Sequence, residues 1–69
     1  MEIVRNRIKC NTCGQIIESY SVHDFKFCEC ESCAVDGGHD YLRRLGYEGS
    51  YTEMSIIRNS KGEEVAVHA

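Results

Sequence analysis

Apolar residues along this chain alternate with polar ones in short runs, and turns rich in cysteine and glycine separate the runs. Ile3 to Lys9 alternates weakly and predicts a strand that runs into Cys10. Cys10-Asn11-Thr12-Cys13-Gly14 predicts a tight knuckle, with Gly14 supplying the positive φ that turns backbone amides toward a thiolate. Gln15 to Tyr20 reads as the returning strand of a hairpin, and Ser21 to Asp24 as a polar turn. Phe25-Lys26-Phe27-Cys28 alternates again and predicts a strand that delivers a second cysteine cluster. The short apolar run Cys33-Ala34-Val35 ends at the turn signal Asp36-Gly37-Gly38.

His39 to Gly46 predicts two turns of helix. Asp40 in its first turn and Arg43 and Arg44 in its last suit the helix dipole, and Gly46 offers a stop. Tyr41, Leu42 and Leu45 would share the face packed on the sheet, and so short a helix would depend on that packing. Two β-prone runs, Thr52 to Arg58 and Glu63 to His68, flank the polar turn Asn59 to Gly62 and predict a final hairpin. The fold class expected is a small β-rich (α+β) zinc-ribbon-like domain with two or three hairpins and one short helix. Metal-binding hairpins would occupy residues 1–36, the helix 37–46 and the C-terminal hairpin 52–68 of a single domain over 1–69.

Size makes a staple necessary. A chain of 69 residues with two Phe, four Tyr and no Trp has little from which to build a core. Its five cysteines, Cys10, Cys13, Cys28, Cys30 and Cys33, all fall in the first half. Two tight turns that each present a pair of sulfurs make a tetrahedral soft-metal site, and Zn2+ is the expected structural ion, one per chain. An odd cysteine count leaves a thiol over in any all-disulfide scheme. Met1 to Arg5 shows no apolar signal segment and no run is long enough to span a membrane, so a reducing cytoplasm is expected.

Spacing alone leaves two ligand sets open. Cys10, Cys13, Cys30 and Cys33 form two C-x2-C pairs with sixteen residues between them. Cys10, Cys13, Cys28 and Cys30 instead use a C-x-C second turn, leaving Cys33 on the face of Val35 as a small buried hydrophobe. Cys10, Cys13 and Cys30 belong to both sets.

Charge narrows the partners. The net charge of −3 is distributed as +1 over residues 1–27, −3 over 28–49 and −1 over 50–69. No basic stripe exists beyond Arg5, Arg7 and Lys9, so nucleic-acid binding is not the leading expectation. Four thiolates around Zn2+ would close the coordination sphere and add negative charge, which argues against an enzyme. The dipeptides His23-Asp24 and His39-Asp40 echo metal phosphohydrolases but lack the further ligands such enzymes need, and read as turn or cap residues. His68 carries no readable signal.

Asp36-Gly37-Gly38-His39 admits two readings. Backbone amides exposed at a helix start would suit an anion, with His39, Tyr41, Arg43 and Arg44 adding donors and a stacking plane. Alternatively the segment is a tight turn in which Asp36 fixes the loop and the arginines pair with acids. Arg43 and Arg44 as an exposed pair are the best candidate recognition surface.

The chain resembles a family of short, poorly characterised proteins from bacteria and their phages. The shared pattern appears as Arg5-Asn6-Arg7-Ile8-Lys9-Cys10, Cys13-Gly14, Ile17-Glu18-Ser19, His23-Asp24-Phe25, Cys28-x-Cys30 and Ala34-Val35-Asp36-Gly37-Gly38-His39-Asp40-Tyr41-Leu42-Arg43-Arg44, over roughly residues 5–55. In that family the Cys33 position is often replaced while those of Cys28 and Cys30 persist, typically followed by glycine, where this chain carries Glu31. The resemblance therefore implies Cys10, Cys13, Cys28 and Cys30 as the ligands. It also implies a phage or prophage accessory protein that binds a host or viral protein, in host takeover or anti-defence. Two other functions stay open: capture of a small nucleotide at Gly37-Gly38 with Arg43 and Arg44, and a nucleic-acid-binding ribbon. An exposed final hairpin would suit a homodimer.

Overall fold

The computed structural model describes residues 2–67 and consists of short antiparallel strands. The longest, β1 (Glu2–Cys10), pairs along one edge with β2 (Ile16–Ser19). Its other edge is shared by β6 (Tyr51–Glu53), beside the Cys10 end, and β7 (Ile56–Arg58), beside the Glu2 end. β8 (Glu64–Ala66) completes this five-stranded sheet against β7. A second, three-stranded sheet runs β3 (Lys26–Phe27), β4 (Cys33–Asp36), β5 (Arg43–Gly46).

Alternation along β1 sets what lies between the sheets. Asn6, Ile8 and Cys10 point inward and are buried, whereas Arg5 and Lys9 are exposed on the opposite face. Ile3 breaks this parity, and a register shift between Ile3 and Arg5 lets it also turn inward. The core gathers Ile8, Cys10, Ile17, Cys28, Cys33 and Val35, with Tyr51 packed against it. Half of those side chains are thiols, so burial of large hydrocarbon is slight.

The helix expected over residues 37–46 does not form: among the described residues the chain has no helix, and Arg43–Gly46 is β5, paired with β4 through Val35↔Arg44 and Asp36↔Arg43. Side-chain chemistry explains the choice. Arg43 lies 3.7 Å from Asp36 while Arg44 pairs with Glu53 on β6, and a strand sends two successive residues to opposite faces as these pairs require. An isolated two-turn helix has no comparable reward. Tyr41 and Leu45 accordingly do not share a buried helix face; both remain exposed.

The final hairpin forms as β7 and β8 around the Asn59 to Gly62 turn. The run from Thr52 to Arg58 is divided, with Met54 and Ser55 linking β6 to β7 along the same edge of β1. His68, expected at the end of that hairpin, lies outside the described residues.

Among the connections that join the sheets, two stand out. One is polar. The buried Asn6 amide faces the carbonyls of Asp36, Gly38 and Tyr41 at 2.9–3.1 Å, and its Oδ1 accepts from Arg44 Nη1 at 2.7 Å. Arg44 in turn forks onto Glu53 at 2.8 and 2.6 Å, with Ser55 Oγ donating to the same carboxylate at 2.6 Å. The other connection is the cysteine cluster.

Candidate metal centre

Cys10 ends β1 in one sheet, while Cys28 follows β3 in the other, so the cluster closes one end of both layers. The first knuckle is held by Cys10 N–H donating to Gln15 O at 2.8 Å and Gly14 N–H to Cys10 O at 2.9 Å. Gly14, at φ 79°, makes this turn in the left-handed region. It leaves the amides of Thr12 and Cys13 each 3.4 Å from Cys10 Sγ, donors suited to a thiolate.

The second knuckle hangs on the β3–β4 connection. Cys28 N–H donates to Cys33 O at 3.0 Å and Glu31 N–H to Cys28 O at 2.9 Å. Glu31 sits at φ 61°, where a side chain is strained and glycine is not. Gln15 Oε1 accepts from Glu29 N–H and ties the knuckles together.

Sulfur atoms of Cys10, Cys13, Cys28 and Cys30 all lie within 4.8 Å of one another. Cys30 Sγ is 3.5 Å from both Cys10 Sγ and Cys28 Sγ. A tetrahedron with metal–sulfur bonds of 2.3 Å has edges of about 3.8 Å, so these four sulfurs fit one soft metal ion. All five cysteines are free of disulfides. Cys10 and Cys28 form the buried side of the cluster, Cys13 and Cys30 the exposed side.

Local hydrogen bonds sort the thiols. Donation from the Cys13 backbone N–H, then from the Ser32 hydroxyl, holds Cys10 down at about 5 despite its burial. Burial would raise Cys28, but the Cys33 backbone and the Cys30 thiol outweigh it and bring it to about 7. At Cys30 the Ser32 hydroxyl and amide favour the thiolate, yet partial loss of solvation and the Cys10 and Cys28 sulfurs together push it up. Cys33 is pushed up to about 12, first by burial and then by the neighbouring Cys28 and Cys10 sulfurs.

Cys33 thus stands apart from the four. It heads β4, is buried beside Val35, and presents a protonated thiol 3.7 Å from Cys28 Sγ. Ser32 was not apparent as a site residue from the sequence. Its Oγ lies 3.1 Å from Cys30 Sγ, 3.2 Å from Cys10 Sγ and 3.8 Å from Cys28 Sγ, so one hydroxyl addresses three sulfurs. The only signal for it is adjacency to a cysteine turn.

The second group of expected site residues does not converge. Gly37 N–H donates to Asp36 Oδ1 and Gly38 N–H to Ser19 Oγ, both at 2.9 Å, so neither amide faces outward to an anion. His39 Nδ1–H donates to Ile3 O at 2.7 Å, and Tyr41 OH to Val22 O at 3.4 Å. Arg43 lies over the Tyr41 ring beside Asp36, whereas Arg44 is buried against Glu53; the two are not an exposed pair. No cavity opens among the described residues. Of the basic residues on β1, Arg5 is paired with Glu18 at 3.1 Å and Arg7 Nε donates to Met54 O at 2.9 Å.

Residues 2–46 match the family described as a domain of unknown function (DUF7695). The chain belongs to this family. The DUF7695 match takes in both knuckles, β4 and β5, and stops before β6. No curated protein and no solved structure matches the chain. Among the described residues no helix is long and apolar enough to cross a membrane.

Proposed function

We propose that this DUF7695 protein is a non-enzymatic zinc-binding module that acts by binding another protein. The observation that carries the reading is the set of four sulfurs, on two knuckles from two sheets, with edges near those of a ZnS4 tetrahedron. Cys10, Cys13, Cys28 and Cys30 would hold the ion, and a closed shell of thiolates leaves no coordination position for a substrate or water. Its work is then structural. It joins the end of β1 to the end of β3, one strand from each sheet, and such sites supply apparent free energies of about 10–16 kcal/mol.

What supports protein binding is an exposed apolar surface beside the cysteine cluster, with no cavity among the described residues. Resemblance to short bacterial and phage proteins supports an accessory role, in host takeover or anti-defence, inside a bacterial cytoplasm. Nucleotide capture at Gly37-Gly38 gains no support, because those amides are engaged within the fold.

Native mass spectrometry before and after a strong chelator tests the metal reading. One zinc per chain, with loss of the folded charge-state envelope on removal, is expected. A chain that stays folded without metal, or that carries an iron–sulfur cluster, would refute it.

A further inference from the structure

The outer face of the three-stranded sheet carries an exposed apolar patch, with the opposed pair Asp36 and Arg43 beyond it on the same face. Phe27, Ala34 and Leu45 stand directly opposite one another across β3, β4 and β5 and so share that face. Phe25, two residues before Phe27, packs edge-on against it at 5.3 Å. Tyr47 follows β5. Phe25, Phe27, Leu45 and Tyr47 are 47%, 43%, 50% and 66% exposed, while Ala34 between them is fully buried. β5 is the outer strand of its sheet, with no strand beyond it among the described residues.

One end of this face is negative. The β3–β4 connection carries Glu29 and Glu31, and Glu48 lies just past Gly46, which pairs with Cys33 at that same end. All three carboxylates are exposed, and none has an ion-pair partner among the described residues. Four thiolates around a divalent ion would add about two further negative charges beside them. Of the two arginines nearby, Arg43 is drawn to Asp36 and Arg44 is buried on Glu53.

We infer that this face docks an extended basic segment of another protein, lying along the open edge of β5. Its alternate apolar side chains would cover Phe27 and Leu45, and its lysines or arginines would meet Glu29, Glu31 and Glu48. This rests on the protein-binding reading above and names its partner's chemistry. Charge complementarity selects the occupant: nucleic acid and anionic lipid are repelled by the negative end. A second copy of this chain would bring like carboxylates together. Size agrees, since four half-exposed large side chains offer on the order of 400 Å², half of what each partner in a stable dimer buries. An added strand supplies main-chain hydrogen bonds as well.

The test pans a yeast-displayed random dodecamer library against the zinc-loaded protein and measures enriched peptides against two variants. Leu45→Ser removes an anchor of the face, and Ile16→Ser removes an exposed side chain on the other sheet. Metal content and circular dichroism verify that both are folded. Enriched peptides should be net positive, with apolar residues at alternate positions. Leu45→Ser should weaken them about tenfold or more, and Ile16→Ser should leave them unchanged. Added salt and a Glu29→Gln, Glu31→Gln, Glu48→Gln triple variant should each weaken binding, and amide shifts should map to β5. No enrichment would overturn both this proposal and the protein-binding reading. Neutral or acidic peptides, equal binding to Leu45→Ser, or a dimer broken by Leu45→Ser would overturn the docking proposal alone. A protein that holds no zinc at the loading step would overturn the metal reading, and with it this proposal, before any peptide is measured.

Discussion

Arg43 and Arg44 are neighbours with the same side chain, and the fold gives them opposite weights. Arg44 and Glu53 are 11% and 9% exposed and share two hydrogen bonds at 2.8 and 2.6 Å; Arg44 also donates to Asn6 Oδ1 at 2.7 Å. Arg44→Met keeps the length of the side chain but strands a buried carboxylate. Breaking one partner of such a pair costs about 3–5 kcal/mol, and the loss of the Asn6 contact places the expectation toward the upper half. Arg43→Ala removes a 64% exposed guanidinium 3.7 Å from Asp36 and should cost no more than about 0.5 kcal/mol. Urea unfolding at fixed, buffered zinc reads both values. Burial would raise the Glu53 carboxyl, but hydrogen bonds from Arg44 and Ser55 outweigh it and hold the group below its ordinary 4.5. A depressed carboxylate stabilises the folded state above the unfolded value, and that contribution is lost as pH falls through the folded value. Without Arg44 the carboxyl titrates higher, so the deficit of Arg44→Met should shrink as pH is lowered from 7, over the range in which the thiolates still hold zinc. The double variant Arg44→Met with Glu53→Leu should recover most of the loss. Equal losses in the two single variants, or a loss in Arg44→Met under about 1 kcal/mol, would refute the buried-network account.

Further substitutions probe the knuckles and the turn. Cys30→Ser should abolish stoichiometric zinc binding, whereas Cys33→Ala should keep one zinc per chain and lose about 1–2 kcal/mol as a small core cavity, both read by metal titration and denaturation. Glu31→Gly should stabilise the zinc-loaded protein by about 1 kcal/mol, because Glu31 holds a φ of 61°; an unchanged or lower unfolding midpoint would count against strain there. Gly38→Ala would place a Cβ 2.3 Å from the Ser21 carbonyl carbon, and should cost about 3 kcal/mol or more or prevent folding, as judged by amide dispersion in an NMR spectrum.

Local signals were legible in the sequence wherever one short segment carried the whole instruction. Cys10 to Gly14 writes out a knuckle by itself, because the glycine permits the turn and the two thiols need only that turn to converge. The hairpin of β1 with β2 follows from alternation on either side of it, and the division of the chain between β7 and β8 from a glycine-ending polar turn. Five cysteines in a small chain likewise announce a β-rich domain with a cluster that could hold a metal. The residues from His39 to Gly46 carry an ambiguous instruction, since a charge pattern that suits a helix dipole also suits a strand with one arginine on each face. Which wins depends on Asp36 and Glu53, and Glu53 reaches Arg44 only after β6 has paired with β1. The ligand set has the same character. Spacing cannot distinguish Cys28 from Cys33, but they have different surroundings: Cys28, just past β3, joins the sulfurs of Cys10, Cys13 and Cys30, whereas Cys33 lies behind Cys28, buried beside Val35 at the head of β4. Tertiary structure alone brought Ser32 to Cys10 and made Asn6 the junction of two sheets, because these contacts join segments distant in the chain.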